Sequence, residues 1–61
     1  MITEGVKQVI RSHCPAELSS GERGIRCGKI IKLYNIALED HGAVAKEAGI
    51  EVRKIKEWRG S

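Results

Sequence analysis

Phenylalanine is missing from this 61-residue chain, and tryptophan, tyrosine and proline occur once each. With 41% hydrophobic residues and so few rings, a core has to be built mainly from aliphatic side chains. No stretch approaches the ~20 apolar residues of a membrane span. The opening residues Met1-Ile2-Thr3-Glu4-Gly5-Val6-Lys7 lack the basic-then-apolar order of a secretory signal. A cytoplasmic location is therefore expected. No segment alternates apolar and polar residues as a half-buried strand does, and internal repeats and low-complexity tails are absent. What remains is an all-α chain of one domain.

A domain of this size buries only ~60% of its unfolded surface, so association with a second copy is a natural source of added stability. The net charge is +3 with a pI of about 9.1, and the excess is unevenly spread. Residues 1–21 are balanced, with Lys7 and Arg11 against Glu4 and Glu17. The C-terminal third sets Lys46, Arg53, Lys54, Lys56 and Arg59 against Glu47, Glu51 and Glu57, a local excess of +2. A basic C-terminal surface is what phosphate contact requires.

Thr3 can cap a first helix that runs to about His13, with Ile2, Val6, Val9 and Ile10 as its apolar stripe. Pro15 ends it, because the residue before proline avoids the helical region. The stripe suits a fourth wall of the core and a dimerisation arm alike. Ser19-Ser20-Gly21-Glu22 has capping-box spacing and can open the next helix. The pattern Ile30, Leu33/Tyr34, Ala37/Leu38 predicts a helix from Ile25 or Lys29 to about His41, stopped by Gly42. Further helices are expected at 43–48 and 51–59. The expected organisation is four short helices in a single domain: an N-terminal helix over 1–14, a loop over 15–24 and a trihelical unit over 25–61.

The last twenty residues read as a short helix, a glycine turn and a basic helix, the layout of a helix-turn-helix. Ala45 is small where two helices must approach. Gly49 can take positive φ at the turn. Ile50 follows as a hydrophobic plug, and Ile55 and Trp58 are spaced to pack back on the first helix. Val44-Ala45-x-x-Ala48-Gly49-Ile50-x-x-x-x-Ile55-x-x-Trp58 resembles the helix-turn-helix signature of small bacterial and phage regulators. With Asn35 to Gly42 in front, it also resembles the DNA-binding unit of the factor-for-inversion-stimulation class, and transposase N-terminal domains share this homeodomain-like arrangement. Glu51 stands where such motifs often carry a capping Ser or Thr, and Val52 where they carry a polar residue.

The resemblance implies sequence-specific binding of double-stranded DNA by a transcriptional regulator or a phage accessory factor. In its register Glu51, Val52, Arg53, Lys56 and Glu57 face the bases, with Arg53 suited to a bidentate guanine contact. Lys46, Lys54, Arg59, Arg23 and Arg26 are the expected phosphate contacts. A homodimer reading two half-sites would supply the missing affinity, with Ile2, Val6, Val9 and Ile10 as candidate dimer contacts. The alternative reading is a phage-type protein-binding module, an inhibitor or adaptor of a host enzyme, on the same scaffold.

Other chemistry finds little footing. Cys14 and Cys27 belong to no Cys-x-x-Cys pair, and with His13 and His41 they match no zinc spacing. They are expected as reduced thiols, one buried at a helix start and one in a loop. Gly24 to Lys29 has three residues between its glycines rather than the four of a phosphate loop, and Ile30 occupies the magnesium-binding Ser/Thr position. Ser19, Ser20, Asp40 and His41 form no recognisable hydrolytic order. The expectation is no enzyme activity, metal, cofactor, membrane partner or small-molecule substrate.

Overall fold

Each α-helix among the described residues starts or stops at a residue whose chemistry accounts for it. The computed structural model describes residues 2–55. Thr3 sits in extended backbone and its Oγ1 accepts the Val6 amide at 3.2 Å, which opens α1 (Glu4–His13). Cys14, just before Pro15, leaves the helical region at φ −123°, ψ 59° while its amide still donates to Ile10 O. Ser19 then repeats the device: its Oγ accepts the Glu22 amide at 3.2 Å and opens α2 (Ser20–Tyr34). Glu22 does not reach back to complete the capping box. Its carboxylate instead takes Arg26 Nε at 3.1 Å, one turn on.

The second helix differs from expectation at both ends. It begins at Ser20 rather than at Ile25 or Lys29, because the Ser19 cap acts together with tertiary packing of the buried Gly24, Cys27 and Gly28, which local helix propensity does not count. It ends at Tyr34, seven residues before His41. Asn35 adopts the left-handed conformation, φ 51°, ψ 50°. The Asn35 amide donates to Lys32 O at 3.3 Å and the Ile36 amide to Ile31 O at 3.0 Å. That pair of bonds is a Schellman turn closed on asparagine, the residue after glycine that best tolerates this conformation. A 3-10 turn (Leu38–Asp40) then leads into α3 (His41–Ala48). Gly42, expected as a terminator, is the second residue of α3.

A second Schellman turn closes α3. Gly49 lies at φ 75°, its amide donates to Lys46 O at 3.2 Å, and the Ile50 amide donates to Ala45 O at 3.0 Å. The expected helix at 51–59 does not form over its described part. Val52–Lys54 make a 3-10 turn and Ile55 leaves helical backbone at φ −88°, ψ 81°. Residues 56–61, with Trp58 among them, lie outside the described residues. The described residues thus form an all-helical fold of three α-helices without a strand. No helix among them is long and apolar enough to cross a membrane.

The core is aliphatic: Ile2, Ile10, Ile30, Ile31, Val44, Ala45, Ala48 and Ile55, joined by Cys14 and Cys27. Val6, Val9, Ile36 and Ile50 pack around it. The apolar stripe of α1 is therefore a wall of this core. α3 lies against both α1 and α2 and also carries the returning Val52–Lys54 turn. Its small face, Ala45 and Ala48, permits that approach. Leu33 and Leu38, which the helical pattern assigned to one continuous apolar face, are 76% and 73% exposed. With α2 ending at Tyr34, they no longer share a helix, and the pattern that linked them was accidental.

Two glycines separate the demands of packing from those of propensity. A Cβ on Gly24 would lie 2.1 Å from Lys54 O, whereas one on Gly42 would meet nothing within 4 Å. Gly24→Ala is expected to destabilise the fold by about 2–3 kcal/mol, despite the helix propensity it gains. Gly42→Ala is expected to stabilise it by about 0.5–1 kcal/mol. Urea unfolding followed by far-ultraviolet circular dichroism measures both.

Candidate functional site

The surface that follows α3 is built by its C-terminal turn. Gly49 reverses the chain, Ile50 rests against the core, and Ile55 is buried at 1% exposure. Between these two anchors Glu51, Val52, Arg53 and Lys54 are all exposed. Arg53 Nε donates to Glu51 Oε1 at 2.6 Å, and both side chains are largely in solvent. Such a pair contributes at most about 1 kcal/mol, so exchanging it for another partner costs little. Lys46 is exposed on α3, the helix that carries this turn. Lys56, Glu57 and Arg59, the other expected DNA contacts, lie outside the described residues.

Arg23 and Arg26 have tasks within the fold. Arg23 Nε donates to Leu18 O at 3.1 Å, and its Nη1 donates to Ala48 O at 2.9 Å and Gly49 O at 3.4 Å. One guanidinium therefore ties the link before α2 to the carbonyl end of α3, where the helix dipole also favours a cation. Arg26 donates from Nη1 to His13 O at 3.2 Å while its Nε holds Glu22. Arg11 joins α1 to α3 through Glu47. The hydrogen bond and charge of Glu47 push the Arg11 guanidinium further above its already high range. Lys29, Lys32, Lys46 and Lys54 are exposed and form no ion pair among the described residues. Pairing logic in the sequence does not separate these two groups, because every partner of Arg23 is a backbone carbonyl.

A second feature is a shallow groove of about 420 Å³ between α1 and α2, lined by Val9, His13, Glu22, Arg26, Lys29, Ile30, Leu33 and Tyr34. Its floor is aliphatic and its rim is charged. Tyr34, which the sequence pattern placed on the apolar face of a helix, is 45% exposed. The groove escapes sequence reading because it exists only where α1 crosses α2.

The two cysteines, separated by thirteen positions, meet in the core. Their Sγ atoms are 3.7 Å apart, and both are free thiols. Cys14 lies just past the end of α1 and Cys27 in the middle of α2. Burial pushes the Cys27 thiol up to about 12, and the neighbouring Cys14 adds to the shift. Burial also raises Cys14, against the pull of Arg26 and Arg23 toward the thiolate. Among the described residues no cluster of three or more His, Cys, Asp and Glu completes a metal site around them. Asp40 and His41 stand at the start of α3, with His41 buried and its Nε2 at 3.2 Å from Ile36 O.

No protein family, no curated protein and no solved structure matches this chain.

Arg23→Met keeps the aliphatic stem and removes the three carbonyl contacts, so it is expected to destabilise the fold by about 1–2 kcal/mol. Arg23→Lys should not restore the loss, because one ammonium cannot span both carbonyl sites. Thermal unfolding of both variants checks this. The thiols predict an alkaline limit. Cys27 stays neutral in the fold to about 12 but ionises in the unfolded chain near 9.0. Its contribution is complete below pH 9 and is lost as pH rises toward 12, since the unfolded chain then binds fewer protons. The stability difference between the natural chain and Cys27→Ala should therefore shrink across that window in pH-dependent urea titrations.

Proposed function

We propose that this chain binds double-stranded DNA in a sequence-specific way, through the surface that runs from α3 over the Gly49 turn to Lys54 and on toward the basic C-terminal residues. The observation that carries the reading is the exposed segment Glu51–Lys54, anchored on one side by Gly49 and Ile50 and on the other by Ile55. A short, exposed, charged segment held at both ends is pre-organised for recognition, because little ordering entropy remains to be lost on binding. The resemblance of Val44 through Trp58 to helix-turn-helix signatures supports the same surface.

In this reading Arg53 leaves Glu51 and forks onto the O6 and N7 atoms of a guanine. Glu51 is released to accept from a cytosine amine, and Val52 touches a thymine methyl. Lys56 and Glu57 are the further base contacts. Lys46, Lys54 and Arg59 hold phosphates, and Arg26 and Arg23 flank them, Arg23 chiefly by holding the turn in place. A unit of this size gains discrimination by working as a dimer on half-sites ~34 Å apart. The role is that of a transcriptional regulator or phage accessory factor in the cytoplasm.

A second reading, a protein-binding module that inhibits or adapts a host enzyme, is favoured by the α1/α2 groove with exposed Leu33 and Tyr34 at its edge. Salt separates the two, because phosphate contacts release counterions and a largely apolar contact does not.

Fluorescence-polarisation titration against a randomised duplex pool at ~50 and ~200 mM salt, with sequencing of the bound fraction, tests the DNA reading. Affinity is expected to fall by orders of magnitude across that range, with an enriched motif. Arg53→Ala should relax the motif at one position. Lys54→Ala should weaken all sequences alike and lower the salt slope by about 1. Leu33→Ser should change neither. An absence of binding at ~50 mM salt would overturn the proposal in favour of a protein partner.

A further inference from the structure

The buried thiols Cys14 and Cys27 are used by neither reading of the function. We propose that they are a built dithiol site that closes to an intramolecular disulfide when the chain meets a low-molecular-weight disulfide of the glutathione type. The geometry carries the inference. The two Sγ atoms are already 3.7 Å apart, at 4% and 0% residue exposure, and they touch each other inside an otherwise aliphatic core. A disulfide needs about 2.05 Å, so the sulfurs must approach by about 1.6 Å. Cys14 is placed to provide that movement. It lies on the non-helical link after α1 at φ −123°, ψ 59°, whereas Cys27 is fixed in the middle of α2.

The surroundings also assign the order of events. Arg26 and Arg23 favour the Cys14 thiolate, and Cys27 is held more firmly neutral. The link that begins at Cys14 is fastened on one side by Arg26, which holds His13 O at the end of α1, and on the other by Arg23, which holds Leu18 O. Local opening of this link exposes Cys14 without unfolding the helices. The Cys14 thiolate attacks one sulfur of the small disulfide and expels one small thiolate, leaving a mixed disulfide on Cys14. Cys27 then loses its proton and attacks Cys14 Sγ, which expels the second small thiolate. The two protons lost by the protein thiols end on the two small thiols. The protein is oxidised by two electrons and the small disulfide is reduced by the same two.

Closure ties the end of α1 to the middle of α2 and shortens the freedom of the unfolded chain between them. By linkage, the factor by which folding favours closure equals the factor by which closure favours folding. For a loop of this length the expected factor is about 100-fold.

The test equilibrates the natural chain with reduced and oxidised glutathione, once folded and once in concentrated urea, and reads the fraction closed by mass. The folded chain is expected to close about 100-fold more favourably, as a monomer two hydrogens lighter, with a melting temperature about 20 °C higher that dithiothreitol reverses. Cys27→Ala should stop at the mixed disulfide on Cys14, and Cys14→Ala should leave Cys27 unreactive while folded. Equal closure in the folded and unfolded chain, stable glutathione adducts on the natural chain, or disulfide-linked dimers would each overturn the proposal. The comparison of folded and unfolded natural chain decides the matter even if a variant fails to fold.

Discussion

The chain beyond α3 is held by a close approach that only a residue without a side chain permits. The backbone at Lys54 meets α2 at Gly24, so near that a Cβ there would lie 2.1 Å from the Lys54 carbonyl oxygen. This approach lets Ile55 reach 1% exposure beside Val44, Ala45 and Ala48. Ile55 in turn fixes the far end of the exposed segment 51–54, while Gly49 fixes the near end. The proposed recognition surface therefore depends on a glycine in a different helix, some thirty residues earlier in the chain. In the interior of a helix a glycine costs about 1 kcal/mol of propensity, and here that cost is offset by the seating of a large aliphatic side chain.

The cations divide by chemistry. Arginine is the cation that knits the fold, because its planar fork can reach two carbonyls or a carboxylate and a carbonyl at once. Arg23 joins the link before α2 to the end of α3, Arg26 joins α2 to the end of α1, and Arg11 joins α1 to α3 through Glu47. The exposed lysines 29, 32, 46 and 54 make no ion pair among the described residues and are left to set the outer field. Arg53 bridges the two groups, since it is paired with Glu51 but both side chains are largely in solvent. In the proposed reading the positive field offered to a polyanion would rest on these lysines, while the shape of the surface rests on arginines that mostly do not face it.

Much of the fold was legible where a local signal had no competitor. Thr3 opened α1 because a hydroxyl in extended backbone accepts an amide three residues on, and Pro15 closed it for steric reasons; Ser19 acts in the same way, but Gly21, Gly24 and Gly28 after it pointed to a later start for α2. Gly49 turned the chain as its position after Val44-Ala45-x-x-Ala48 implied. The errors fell where two local signals conflicted. The apolar spacing through Ala37 and Leu38 promised a helix that Asn35 in fact ends, and asparagine is a weaker stop signal than glycine or proline. Gly42 looked like that stop and is instead a helical residue in open space. The start of the expected helix at 51–59 became a 3-10 turn, because seating Ile55 against α2 imposes a bend that local propensity does not foresee.

The candidate site was legible only in part, for the same reason. The resemblance set Glu51, Val52 and Arg53 on an outward face of a helix; the structure leaves residues 51–54 exposed but in a 3-10 turn between Gly49 and Ile55. The sequence by itself determined the aliphatic core, the capped start of α1 and the basic character of the C-terminal third. Each of these follows from residue chemistry over a few neighbouring positions. Only the tertiary structure decided that Arg23 serves the end of α3, that Cys14 meets Cys27, and that Leu33 and Tyr34 edge a groove. These facts join residues many positions apart, and what joins them is the angle at which three short helices cross, which no local pattern encodes.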